Sequence, residues 1–185
     1  MATTVTDSKT KTKTKATEDG GPRPTKRENA EHGFLAPKSL TNDLQSVLID
    51  LIELHLQGKQ AHWNVVGKNF RDLHLQLDEI VNAAREFSDA VAERLRALHA
   101  TADGRAAVVA ATTTLEPYPA GEVDTTTVID LITARLDATV STVRKVHDDV
   151  DSQDPTSADL LHAVIARLEQ LSWMVSAENR VPGTK

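Results

Sequence analysis

The chain contains no cysteine. That removes disulfide frameworks, thiolate zinc sites, iron–sulfur clusters and cysteine nucleophiles together. Aromatic residues are scarce as well: two Trp, one Tyr and three Phe among 185 residues. All-β folds draw heavily on such residues, so their scarcity favours helices. No apolar run approaches the ~20 residues that a membrane span needs. The N-terminus has none of the apolar core of a secretory signal. Together these absences predict a soluble, cytoplasmic protein with no membrane partner. The length allows one domain or two small ones.

The charge that is present is unevenly placed. A net charge of −6 conceals a basic beginning and an acidic remainder. Residues 1–27 hold seven basic side chains (Lys9, Lys11, Lys13, Lys15, Arg23, Lys26 and Arg27) against three acids, a net of +4. The rest holds 14 bases and 24 acids, a net of −10. The early segment alternates Lys and Thr, then runs through Gly20, Gly21, Pro22 and Pro24. It has almost nothing apolar to offset its ordering entropy. Residues 1–33 therefore read as a disordered basic arm and 34–185 as the folded domain. Such an arm can neutralise phosphates without reading sequence; it reads equally as a solubilising tail.

Four long amphipathic segments fill the domain. The first spans about residues 40–66, with Leu44, Leu48, Leu51, Ile52 and Leu56 at helical spacing, Ser39 or Thr41 as its cap and Gly67 after its end. The second spans about 69–98, opening with Asn69 and Asp72 in capping-box spacing. The third spans about 126–150. The fourth follows Pro155, with Thr156 and Asp159 as its box, and ends near Asn179. Between the second and third lies a long connection in which residues 105–114 read as a short helix. No strand is expected. Four helices with a long middle link predict an all-α four-helix bundle with a crossover, as in ferritin-like folds.

The second helix carries a distinctive flank. Leu73, Leu77, Ile80, Val81, Ala84, Phe87, Val91, Leu95 and Leu98 form a core stripe at ~100° per residue. His74, Asp78, Asp89 and Glu93 line the arc beside it. His74 with Asp78, and Asp89 with Glu93, are i, i+4 pairs that can each face one ion. Arg71, Asn82, Arg85 and Arg96 share the arc, so it also reads as a solvated face with an Arg85–Asp89 pair. On the first helix, His62 beside Trp63 adds a further nitrogen. Two His and three carboxylates make an N/O set suited to iron, manganese or zinc. A rise of ~1.5 Å per residue puts Asp78 and Asp89 roughly 16 Å apart. They cannot share an ion bonded at ~2 Å. Either the chain has two poor sites, or an antiparallel second copy brings Asp89 and Glu93 to the His74 and Asp78 of its partner.

At these residues the sequence resembles the Dps family, the DNA-binding ferritin-like proteins of starved bacteria. The resemblance covers about residues 40–180. It rests on Lys59-Gln60-Ala61-His62-Trp63-Asn64, Gly67, Asn69-Phe70, His74-x-x-x-Asp78, Asp89-x-x-x-Glu93, Tyr118-Pro119 and Trp173. The chain contains no Glu-x-x-His, the motif that ferritins and di-iron oxygenases place within one bundle. The resemblance implies a hollow dodecameric shell built from two-fold dimers. It implies ferroxidase centres between subunits, each taking two iron ions, with His62, His74 and Asp78 from one chain and Asp89 and Glu93 from the other. It also implies hydrogen peroxide as oxidant, a ferric mineral core, and protection of duplex DNA in the nucleoid through the arm. Trp63 then reads as a radical quencher or as interface packing. Asp148, Asp149, Asp151, Asp154 and Asp159 read as an acidic pore for Fe²⁺, or as a solvated turn with a helix cap. The rival reading is a DNA-condensing structural protein with a vestigial metal flank; a third is a zinc or manganese bundle without redox turnover. His32, His55, His99, His147 and His162 are left without a role.

Overall fold

The computed structural model describes Met1 and residues 34–183. The predicted arm, with Lys9, Lys11, Lys13, Lys15, Arg23, Lys26 and Arg27, lies outside the described residues apart from Met1. Five helices follow: α1 (Lys38–Asn64), α2 (Phe70–Ala97), α3 (Ala106–Thr112), α4 (Thr125–Gln153) and α5 (Pro155–Ala177). α1 packs on α2 and α4, and α5 packs on α4 and α2, which closes the four-helix bundle. The long connection from α2 to α4 carries the short α3, which lies against α1. No helix among the described residues is long and apolar enough to cross a membrane.

Apolar periodicity explains the packing. Leu73, Leu77, Ile80, Val81, Ala84, Val91, Leu95 and Leu98 are buried as their 3.6-residue spacing requires, and Phe87 is partly buried at the stripe's edge. At Gly58 the helices meet so closely that a Cβ would stand 2.8 Å from Val81 Cγ2. Glycine there lets α1 approach α2.

Helix starts depart from the capping pattern in the sequence. Ser39 Oγ bonds Gln153 Oε1 at 2.8 Å and Thr41 Oγ1 bonds the Lys38 carbonyl at 3.0 Å, so neither caps α1; Pro37 takes that place. Asn69 is left-handed (φ 58°) and its side chain makes no capping bond. α5 begins at Pro155, so Thr156 and Asp159 lie inside it rather than forming its box. Among the described residues only Asp124 caps a helix by its side chain, accepting from Thr127 N at 3.1 Å. Contrary to expectation there is a minimal sheet. Val65–Val66 pairs in parallel with Val123–Asp124, tying the end of α1 to the start of α4.

Asp154 sits at the α4–α5 junction, buried, with Arg94 Nη2 donating to it at 2.6 Å and Ser157 Oγ donating as well. Burial by itself raises the carboxyl pKa. The hydrogen bonds from Arg94 and Ser157 outweigh this and hold it below the usual carboxylate range. A depressed folded-state pKa contributes stability above the unfolded value of ~4, and that stability is lost as pH falls through the folded value. Arg94→Met therefore lowers stability by about 2 kcal/mol at pH 7, with the deficit shrinking below about pH 4. Urea unfolding across pH 3–7 measures this; a deficit independent of pH would show that the guanidinium acts by packing alone.

Candidate metal centre

The end of α1 and the first two turns of α2 are joined by a turn of only five residues, 65–69, so they lie side by side. That brings His62 over α2. Its ring stacks on His74 with centroids 3.7 Å apart, and the His74 Nδ1 lies 3.0 Å from the His62 carbonyl oxygen. The carbonyl oxygen can only accept, so Nδ1 of His74 is the donor and Nε2 is the nitrogen left to face a ligand. His62 Nε2 stands 3.0 Å from Asp78 Oδ2. His62, His74 and Asp78 each offer a ligand atom within 4.8 Å of the others.

The electrostatics favour ligation. His62 is buried, and neither of its ring nitrogens meets hydrogen-bond geometry. Burial pushes its imidazole pKa down, Asp78 pulls it up, and His74 and Lys59 push it down further, with a net lowering. A neutral imidazole is the form that binds metal. Lys59 donates from Nζ to Asp78 Oδ1 at 2.6 Å. This bond, the largest cause, keeps the carboxyl below its ordinary pKa. The ammonium occupies the place of a cation on the carboxylate, and a metal would displace it. The donor set of two imidazoles and one carboxylate suits first-row divalent ions. The role of Lys59 was not read from the sequence. Its i, i+3 relation to His62 was the available signal.

Asp89 and Glu93 stand outside this cluster, exposed further along α2. Asp89 lines a separate open depression with His55, Arg85 and Glu86. Trp63 is 68% exposed beside His62, and Val66 and Phe70, at 40% and 45%, continue an apolar rim around the α1–α2 turn. Phe70 also leans on His74, with centroids 5.1 Å apart. Of the five acids at the α4–α5 corner, Asp148, Asp149, Asp151 and Asp159 are exposed, whereas Asp154 is committed to Arg94 and Ser157.

Comparison with known proteins agrees with this fold. A family model described as a ferritin-like domain matches residues 41–180. The chain is 36% identical over 140 residues to DNA protection during starvation protein 2 of Deinococcus radiodurans, covering 76% of this chain and 58% of that relative. It thus spans less than two thirds of that protein's length. It is 33% identical over 143 residues to the DNA protection during starvation protein of Agrobacterium fabrum, covering 77% of this chain and 88% of that one. Dps92 from Deinococcus radiodurans superposes with a TM-score of 0.75 at 35% identity, covering 78% of this chain and 88% of that one. Dps from Microbacterium arborescens in its high iron form gives 0.74 at 30% identity, covering 80% and 99%. The helix order and the long crossover agree with these matches, and the family model with these relatives shows that this chain is a member of the Dps family of ferritin-like proteins.

Proposed function

We propose that the protein is a ferroxidase and iron store that protects DNA, working as a dodecameric shell with its iron sites between two-fold-related subunits. The observation that carries this is the half-built site: His62, His74 and Asp78 converge, while Asp89 and Glu93 are too far along α2 to join them within one chain. A second copy running antiparallel completes the set twice over. The exposed Trp63, Val66 and Phe70 supply an apolar rim for that copy to cover. Interface packing is then the main role of Trp63, with radical quenching a further one.

Fe²⁺ is substrate here. Two Fe²⁺ held by the five ligands each give one electron to a single hydrogen peroxide. The O–O bond breaks and two protons complete two waters, so no hydroxyl radical leaves the site. Carboxylates favour Fe³⁺ over Fe²⁺ because their attraction grows with the charge of the ion. Lys59 gives up Asp78 as iron arrives. Asp148, Asp149, Asp151 and Asp159, grouped with Asp154 at the α4–α5 corner, are the proposed entry for Fe²⁺ through local negative potential. The ferric product mineralises in the cavity. The His62→Ala, Asp78→Ala double variant is expected to lower the initial rate of peroxide-driven ferric formation at least ~100-fold, followed by its near-ultraviolet absorbance. An unchanged rate would refute the site.

DNA binding is assigned to the arm, because the body is acidic and repels duplex DNA. Twelve arms of net +4 act together, and multivalency makes weak contacts strong. Deleting residues 1–27 should abolish retardation of duplex DNA in a gel while sparing iron oxidation. Retardation by the intact protein should be independent of sequence and fall steeply with salt. Retained binding after the deletion would locate DNA contacts elsewhere. With both activities, the protein would work in the cytoplasm at the nucleoid.

A further inference from the structure

α4 and α5 carry two histidines that the iron chemistry above does not use. His147 and His162 face each other across the helix pair with their Nε2 atoms 2.6 Å apart and ring centroids 4.6 Å apart. Behind each ring stands a carboxylate: Asp148 Oδ1 is 3.0 Å from His147 Nδ1, and Asp159 Oδ1 is 3.7 Å from His162 Nδ1. The pair opens on a depression of about 330 Å³ that Arg144 and Glu169 also line.

A neutral imidazole has one N–H and one lone pair. Asp148 at 3.0 Å draws the N–H of His147 to Nδ1 and leaves a lone pair on its Nε2, whereas Asp159 at 3.7 Å is beyond hydrogen-bond distance and leaves His162 able to present either an N–H or a lone pair at Nε2. At 2.6 Å one Nε2–H donates to the lone pair of the other ring; when both lone pairs face inward instead, a cation must lie between them. A metal ion is such a cation, and it would take the place of the shared hydrogen. The Asp148 carboxylate behind His147 is also the arrangement that orients a histidine on a metal and raises its basicity. At metal–nitrogen bonds of ~2.0–2.1 Å and a tetrahedral angle, the two nitrogens sit roughly 3.4 Å apart. The rings must therefore part by less than about 1 Å, and the His162 side chain, 59% exposed, is free to turn.

We propose that His147 and His162 form a second metal site, taking a divalent cation that prefers imidazole, such as Zn²⁺, through their facing Nε2 atoms. Asp148 orients the His147 ring. Water completes the shell. The site is separate from the His62 cluster and does not depend on iron turnover.

Titration of the metal-free full-length protein with Zn²⁺ by calorimetry tests this. His162→Ala should bind one Zn²⁺ fewer per chain, or bind it at least ~10-fold more weakly, while oxidising iron with peroxide at the wild-type rate. His147→Gln should do the same. Unchanged stoichiometry and affinity in both variants would overturn the site and leave a hydrogen bond between the rings in its place. A second measurement guards against misfolding. In a His62→Ala background, Cu²⁺ should still show nitrogen hyperfine coupling from two imidazoles by electron paramagnetic resonance, and adding His162→Ala should remove it. A spectrum without two-nitrogen coupling in the His62→Ala protein would equally overturn the proposal.

Discussion

Chains carrying Asp78→Asn and chains carrying Asp89→Asn, each inactive in iron oxidation by itself, should regain about one quarter of the wild-type rate when co-assembled. The fraction follows from two-fold geometry. Each proposed site takes His62, His74 and Asp78 from one subunit and Asp89 and Glu93 from the other. In a mixed dimer, one site collects both substitutions and the other collects neither. Random pairing makes about half of the dimers mixed, so about a quarter of all sites are intact. The distance of ~16 Å between the two ligand pairs along α2 makes this outcome specific to an intersubunit site. Co-expression with two affinity tags isolates mixed assemblies for a stopped-flow measurement. No recovery in verified mixed assemblies would mean that each chain holds its iron alone.

Asp50→Ala should be the most destabilising single substitution in the α1–crossover contact, at about 4 kcal/mol. Asp50 is 1% exposed in the middle of α1. Its Oδ1 accepts from Thr113 Oγ1 and Thr114 N, both at 2.8 Å. Its Oδ2 accepts from Thr114 Oγ1 at 2.6 Å and Thr142 Oγ1 at 2.7 Å. All four donors are uncharged, so hydrogen bonds alone hold this buried carboxylate, and it in turn pins the crossover to α1 and α4. Alanine leaves four donors facing an apolar gap. Melting followed by circular dichroism should fall by roughly 10 °C, compared at equal protein concentration because assembly itself raises the melting point. Asp50→Asn, which keeps the shape and lets the hydroxyls reverse their roles, should lose about half as much. A melt of Asp50→Ala within about 2 °C of wild type would show that the crossover is held by other contacts.

A second clamp works beside it. The buried Arg135 donates from Nε to Gln57 Oε1 at 3.0 Å and from Nη2 to the Glu116 and Pro117 carbonyls at 3.1 and 2.9 Å. Tyr118 lies over the same guanidinium, and burial pushes its hydroxyl pKa up to about 12. The two clamps and the Val65–Val123 ladder hold the crossover at both ends, which keeps the α1–α2 turn and its histidines in place.

The helices were legible because burial imposes a period that any amphipathic sequence displays. The α2 stripe reads straight from Leu73 to Leu98, and even the short helix within the crossover is visible in the Ala-Val run that became α3. Caps were not legible. A side-chain oxygen near a helix start satisfies whichever donor or acceptor the tertiary structure brings closest, and Ser39 found Gln153 from the far end of α4. The ladder was hidden because a two-residue strand has no periodicity to detect. Asp154 looked like one acid among five, and only the approach of Arg94 from α2 set it apart.

The sequence by itself determined four amphipathic helices, a crossover between the second and third, and a set of nitrogen and oxygen ligands whose spacing forbids one chain from closing around one ion. These follow from local periodicity and from the fixed rise of a helix, which neighbours cannot change. The tertiary structure decided which ligands meet: the stacking of His62 on His74, the ammonium of Lys59 on Asp78, the burial of Asp50 and Asp154, and the facing of His147 and His162. Each of these joins residues from different helices, or sets how deeply a charge is buried. Such contacts depend on the angle and depth at which helices pack, which no single helix records.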